Sequence, residues 1–338
     1  MSLKNDVMGG LLGLAVGDAF GVPVEFLSRK EVKRLEQNDM TGCDTKPVIP
    51  SRWGDMFPAG AWSDDTSMTV AAIASLIESG GSPDYRDIME RFLRWWEGGE
   101  YSAVPGMPFG LGGCIAKALS RYKRGVLVER CGGTGFRDNG NGSLMRIFPF
   151  SMVCLARAFD EDRIFRLISD ASGITHAHNI SKMSCFIYTL FLRGCLQTRD
   201  PRAAYEEIRL GSEAEFLEFY GNYFSPEAVR ALLEIREIAP DEIAENGYVV
   251  NSLKVALYSL VHTGSYEDAV KMAVRFGYDT DTNGAITGSI AGAMYGAESI
   301  PDRCLAALKR RGYLEKTAEA FSGCLEPLVR GTGFAALA

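Results

Sequence analysis

Apolar residues recur at spacings of three and four along most of this chain, and strict alternation is scarce. The helical period predicts segments at Val7 to Ala19, Thr66 to Ile77, Tyr85 to Trp96, Cys114 to Tyr122, Ile164 to Ala171 and Ser181 to Leu196. It predicts further segments at Glu227 to Ile238, Ser252 to Val261, Tyr266 to Phe276, Ala285 to Tyr295, Arg303 to Arg310 and Lys316 to Val329. The pairs Gly80-Gly81, Gly98-Gly99 and Gly132-Gly133 punctuate the gaps as helix breakers. The Asn-Gly signals between Asp138 and Gly142 lack the alternating flanks a hairpin needs. The expectation is an all-α protein, one domain over 1–338, with a peripheral insertion near 200–224 where the acidic, aromatic stretch Tyr205 to Tyr223 has a weak apolar face.

Two of these helices carry glycine at every fourth position: Gly9, Gly13 and Gly17 in the first, Gly284, Gly288, Gly292 and Gly296 in a late one. Glycine inside a helix costs about 1 kcal/mol relative to alanine, so close packing must offset it. Residues four apart share a face. The pattern therefore predicts that the two smooth faces meet in the centre of the fold.

Two acidic clusters, Ser63-Asp64-Asp65-Thr66 and Asp279-Thr280-Asp281-Thr282, each run directly into an alanine-rich helical stretch. Ser, Thr and Asp are favoured helix caps, and a cap accounts for one side-chain oxygen per helix start. It does not account for four. Carboxylates and hydroxyls are hard oxygen donors that suit Mg²⁺, Mn²⁺ or Ca²⁺ better than zinc. Four carboxylates brought together from Asp64, Asp65, Asp279 and Asp281 repel one another unless cations intervene, and two divalent ions balance them. Such a pair, about 3.5–4 Å apart, can orient substrate hydroxyls and lower the pKa of a bound water. If the clusters meet, residues 64 and 281 lie in one structural unit, which is why a single domain is expected despite the length of 338 residues.

Composition narrows the picture further. A hydrophobic content of 46% with 23% charged residues supports a large buried core. A net charge of −7 without a long Lys/Arg run leaves no electrostatic footprint for nonspecific nucleic-acid binding. The eight cysteines are scattered, with no Cys-x-x-Cys, and read as reduced, buried thiols of a cytoplasmic protein. No export signal is visible at the N-terminus, and no stretch reads as long and apolar enough to span a bilayer. A monomer is expected because no repeat, heptad or long exposed apolar stripe is evident.

Five segments in order carry a resemblance: Gly17-Asp18-Ala19-Phe20-Gly21-Val22-Pro23-Val24-Glu25, Trp62-Ser63-Asp64-Asp65-Thr66, Gly140-Asn141-Gly142-Ser143-Leu144-Met145-Arg146, Thr175-His176-Ala177-His178 and Asp279-Thr280-Asp281-Thr282. On these the chain resembles the ADP-ribosylglycohydrolases. The resemblance implies a single-domain orthogonal multi-helix bundle with a central binuclear metal cleft. It implies two divalent cations, Mg²⁺ or Mn²⁺, held by Ser63, Asp64, Asp65, Asp279, Asp281 and Thr282. It implies hydrolytic release of ADP-ribose from an ADP-ribosylated protein side chain such as arginine or serine. An ADP-ribose-containing small molecule such as O-acetyl-ADP-ribose is the alternative substrate, and a crystallin-like ADP-ribose-binding protein without chemistry the alternative role.

The same resemblance marks further residues. Glu25, by default a solvated loop acid, becomes a candidate acid or base. Asp138 is a second candidate, against its plain reading as a turn aspartate. Gly110, Gly112 and Gly113, with Asn141, Gly142 and Ser143, are candidate diphosphate-holding loops, since glycine lets backbone N–H groups approach phosphate. His178 is a candidate contact to ADP-ribose. Tyr278 departs from the family pattern, which often has a second small residue before the late acidic cluster; its ring narrows the leaving-group side or stacks on substrate.

Overall fold

The computed structural model describes residues 2–36, 57–210 and 240–329, and among them the secondary structure is helical, with two isolated β-bridges, Gly133 to His176 and Gly140 to Tyr248. The α-helices are α1 (Leu3–Gly21), α2 (Arg29–Glu36), α3 (Asp64–Glu78), α4 (Tyr85–Gly98), α5 (Gly113–Lys123), α6 (Phe148–Ala156) and α7 (Glu161–Gly173). They continue as α8 (Asn179–Thr198), α9 (Pro201–Leu210), α10 (Val249–His262), α11 (Tyr266–Val274), α12 (Thr280–Tyr295), α13 (Asp302–Ala307) and α14 (Arg311–Val329). The all-α expectation holds. The expected helix Glu227 to Ile238 lies outside the described residues, as does the expected insertion beyond residue 210.

Helices α1 and α12 pack antiparallel along their glycine faces, which is the centre of the fold. A Cβ on Gly9 would stand 2.0 Å from the Gly292 carbonyl oxygen, on Gly13 2.3 Å from that of Gly288, and on Gly17 2.1 Å from that of Gly284. Gly21 continues the series, with its virtual Cβ 2.2 Å from Thr280 O. Gly296 does not join it: with φ of 91° it caps α12. The buried Tyr266 of α11 donates its hydroxyl to Gly13 O at 2.7 Å, so even the carbonyl exposed by the missing side chains is satisfied. Arg199, at the C-cap of α8, holds the far end. It donates to Ala293 O and Met294 O of α12 and pairs with Asp6 of α1 at 2.8 Å.

Three expectations need correction. By length and composition α1 with the turn after it, Leu3–Val24, could cross a membrane, yet 94% of its apolar window is buried; a glycine-faced core helix passes the same compositional test. Cys304 is disulfide-bonded, so not every cysteine is a reduced thiol; Cys114, Cys131, Cys154, Cys185, Cys195 and Cys324 are free. The segment Arg303 to Arg310 is not continuous helix. It ends at Ala307 and Arg310 takes φ of 48°, so α14 starts afresh at Arg311.

Candidate active site

The two acidic clusters do open helices, α3 and α12, but not as caps. Ser63 and Asp279 occupy the N-cap positions, and neither side chain makes a capping bond to the helix start. Their oxygens point elsewhere. Ser63 Oγ donates to Asp65 Oδ2 at 3.0 Å, and Thr282 Oγ1, from the other cluster, reaches the same oxygen at 3.5 Å. Two segments 217 residues apart thus converge on one carboxylate.

The glycine pairing explains how. Because α1 and α12 touch backbone to backbone, α12 begins where α1 ends, and Thr280 Oγ1 donates to Gly21 O at 2.8 Å. The turn after α1 then delivers Glu25 to the start of α12. Ligand oxygens of Glu25, Asp279 and Asp281 all lie within 4.8 Å of one another. Asp64, Asp65 and Asp281 are 5%, 1% and 2% exposed.

Such a group is electrostatically unfavourable by itself. Burial first, and then the neighbouring carboxylates, hold Asp64, Asp65 and Asp281 well above the ordinary carboxylate pKa. Asp65 Oδ1 is buried and has no hydrogen-bond partner. A buried orphan carboxylate oxygen beside other hard oxygen donors fits a divalent cation, which supplies the missing partner and the missing positive charge.

Asp18 was not singled out by sequence reasoning, yet it fixes the geometry. Fully buried in α1, it accepts from Ser63 N (2.9 Å) and Thr66 N (3.0 Å) and from Thr66 Oγ1 (2.6 Å). It therefore takes over the capping that Ser63 leaves undone. Burial raises its pKa to about 6 against the lowering effect of these bonds. A carboxylate inside the apolar run Leu11 to Phe20 was the available signal, because a charge there requires buried partners.

The glycine loops lie alongside. Gly110, at φ of 94°, packs so closely on Asp64 that a Cβ would stand 2.3 Å from its Oδ1. Gly112 and Gly113 then open α5 without a side-chain cap, and a Cβ on Gly113 would meet nothing within 4 Å. That leaves free N–H groups at an open helix start. Asn141 is 7% exposed and its amide donates to Asp279 Oδ2 (2.8 Å) and Ser252 Oγ (2.9 Å), so it orients an acidic residue of the site. Gly142 packs against Ile115 and His176. The Ser143 hydroxyl is wholly buried, taking a bond from Ser172 at 2.9 Å and lying 3.5 Å from Cys185 Sγ.

The remaining candidates have other partners or face solvent. Asp138 accepts from Gly135 N at 3.0 Å and pairs with Lys117 at 3.7 Å, so its carboxylate ties its own turn. His178 is the N-cap of α8, accepting from Ile180 N, and its ring meets exposed Phe136 edge-on at 6.4 Å. Tyr278 is 40% exposed with φ of 62°, a left-handed backbone that costs a non-glycine residue about 1–2 kcal/mol.

The chain compares closely with known proteins. Residues 1–329 match the sequence profile of the ADP-ribosylglycohydrolase family. The ADP-ribosylarginine hydrolase Tri1 of Serratia proteamaculans is 32% identical over 316 residues, 92% of this chain and 77% of that protein. The ADP-ribosyl-[dinitrogen reductase] glycohydrolase of Rhodospirillum rubrum is 27% identical, covering 91% of each. A solved ADP-ribosylglycohydrolase-related protein complex superimposes with a TM-score of 0.67 at 29% identity, covering 97% of this chain and 99% of that one. Profile, relatives and fold agree with one another, and the chain belongs to the ADP-ribosylglycohydrolase family of hydrolytic enzymes.

Proposed function

We propose that this enzyme releases ADP-ribose from ADP-ribosylated arginine side chains of proteins, using two divalent cations, Mg²⁺ or Mn²⁺. The observation that carries the metal-dependent reading is the convergence of Glu25, Asp279 and Asp281 with the orphaned Asp65 oxygen. The arginine acceptor is favoured because two relatives, 32% and 31% identical, are ADP-ribosylarginine hydrolases.

Ser63, Asp64, Asp65, Asp279, Asp281 and Thr282 are the residues to hold the ions, which when bound offset the carboxylate charge and polarise ribose hydroxyls and water. The chain's own groups do the rest. The open start of α5 at Gly112 and Gly113 presents N–H groups to the diphosphate, helped by the helix dipole. Asn141 keeps Asp279 in place. In the reaction, water adds its oxygen to the anomeric carbon, the carbon–nitrogen bond breaks, and the departing guanidine takes a proton. Glu25 is the better placed of the two acid-base candidates, since its carboxylate lies with Asp279 and Asp281 while that of Asp138 is engaged by Gly135 and Lys117.

The test is ADP-ribose release from arginine-linked, serine-linked and O-acetyl substrates, with Mg²⁺ or Mn²⁺, against EDTA and Asp281→Ala controls. Metal-dependent release from the arginine-linked substrate alone supports the reading. Release only from another substrate reassigns the acceptor, and release unaffected by EDTA and by Asp281→Ala removes the metal from the mechanism.

A further inference from the structure

Two exposed aromatic residues flank the acidic group, one on each side of the chain crossing. Phe26 follows Glu25 directly, and Tyr278 directly precedes Asp279. They are 38% and 40% exposed. Their rings meet edge-to-face, centroids 5.7 Å apart at 80°. Their backbones are stitched together: Phe26 N donates to Tyr278 O at 2.5 Å, and Tyr278 N to Leu27 O at 2.6 Å.

Both residues hold left-handed backbone, φ of 67° and 62°, where glycine would sit without cost. Gly277 beside them, at φ of 74°, obeys that rule, and its virtual Cβ would collide with Arg29 N at 2.4 Å. Two half-exposed rings kept in a conformation that opposes them do not serve the core. Strain retained at a site is a sign of function.

We infer that the edge-to-face pair Phe26 and Tyr278 forms an aromatic clamp that receives the acceptor side chain on its exposed ring surface, not between the two rings, and that it selects a guanidinium. The assignment rests on the arginine-linked reading above and adds the residues that read the acceptor. A guanidinium is a planar, weakly hydrated cation that stacks on aromatic faces. The two aromatic residues adjoin Glu25 and Asp279 in the chain, and the negative charge of that acidic group adds attraction for a cation. The opposite half of the substrate has its own place: the open helix start at Gly112 and Gly113 follows Gly110, which abuts Asp64, whereas the clamp is attached to Glu25 and Asp279.

The left-handed backbone supplies an unusually clean test, because Tyr278→Gly removes the ring and relieves the strain together. The measurements are steady-state release from an ADP-ribosylarginine peptide, ADP-ribose affinity by calorimetry, and thermal unfolding, for wild type, Tyr278→Gly, Tyr278→Asn and the ring-retaining Tyr278→Phe. Asparagine also tolerates this backbone and serves if glycine there fails to fold. The expected result is a KM for the arginine-linked peptide raised about five- to thirtyfold by Tyr278→Gly, with ADP-ribose affinity unchanged and Tm not lowered. Tyr278→Phe recovers most of that loss. An unchanged KM in an active Gly or Asn variant overturns the clamp; so does an equal loss of ADP-ribose affinity, which assigns the ring to the ADP-ribose half. A wild type that releases ADP-ribose only from other linkages overturns the arginine reading and the guanidinium selectivity together, an outcome distinct from failure of the clamp alone.

Discussion

Asp18 Oδ2 accepts both the backbone N–H and the hydroxyl of Thr66, at 3.0 and 2.6 Å, so the middle of one helix sets the start of another. Through Ser63 N, held by Oδ1 at 2.9 Å, the same carboxylate places the three residues Ser63, Asp64 and Asp65. Asp18→Asn keeps the volume but replaces one acceptor oxygen by a donor facing N–H groups. A buried bond to a charged acceptor is worth about 1.5–3 kcal/mol, so the variant should unfold several degrees lower. It should also bind Mn²⁺ more weakly, because its own side chain is not needed as a ligand but the ligands it aligns are. Calorimetric Mn²⁺ titration beside a thermal melt checks both; unaltered affinity in a destabilised variant restricts Asp18 to the fold.

The glycine faces of α1 and α12 make an opposite pair of predictions from one chemical change. Gly288→Ala places a Cβ 2.2 Å from Gly13 O, a backbone atom that cannot move without separating the two helices. The cost falls among the large values for overpacking, about 3 kcal/mol or more, and site geometry goes with it. Gly323→Ala, on the exposed face of α14 with nothing within 4 Å, should instead gain up to about 1 kcal/mol from helix propensity. Urea unfolding of both variants decides the matter. Equal, small effects would mean the central helices have more freedom than the contact allows.

This contact was also the part of the fold most legible in the sequence. Gly9, Gly13 and Gly17 opposite Gly284, Gly288 and Gly292 follow from spacing alone, since only a close partner offsets so much glycine. The two acidic clusters were legible for a similar reason: each carried more oxygens than a cap can use. What the sequence hid was the direction of side chains. Asn141 and Ser143 sit in one motif, yet one reaches Asp279 and the other turns into a buried hydroxyl chain, a difference that depends on loop 139–141 pairing with 247–249. Helix α6 was missed because Phe148 to Ala156 is apolar on every side and so has no period to detect. Helix α2 was missed for the opposite reason, being short and strongly polar.

Divalent metal should stabilise this protein more at neutral pH than in mild acid. Burial and mutual repulsion hold the folded-state pKa values of Asp64, Asp65 and Asp281 well above the ordinary one, and burial raises that of Asp18 to about 6. A folded pKa above the unfolded value means stability is present below about pH 4 and is lost as pH rises through 6 and beyond. Metal-free protein therefore weakens across that window, and a cation bound only by the folded state offsets the loss, by about 2.7 kcal/mol at a hundredfold excess over Kd. Melting curves with EDTA and with Mn²⁺ at pH 5 and pH 7.5 read the effect directly. A metal-induced shift no larger at pH 7.5 than at pH 5 contradicts the electrostatic account of the site.

His176 predicts a pH dependence of the other sign. The fully buried Arg146 donates Nη2–H to Thr175 Oγ1 at 2.8 Å, and that hydroxyl shares a hydrogen bond with His176 Nδ1 at 2.9 Å. A protonated ring would be a second buried cation next to this one, so the neutral imidazole is favoured. Burial first and the Arg146 charge second push its pKa down to about 3. The unfolded state binds the proton more readily, so the contribution is intact above about pH 6.5 and is lost as pH falls towards 3. Between pH 7 and pH 5 this amounts to about 2 kcal/mol at 1.36 kcal/mol per pKa unit. His176→Asn keeps an acceptor for Thr175 and removes the titration. The gap in unfolding free energy between wild type and variant should therefore shrink by that amount on going from pH 7 to pH 5, while carboxylate effects common to both cancel. A gap constant across this range would mean that His176 reaches solvent or a proton donor before the protein unfolds.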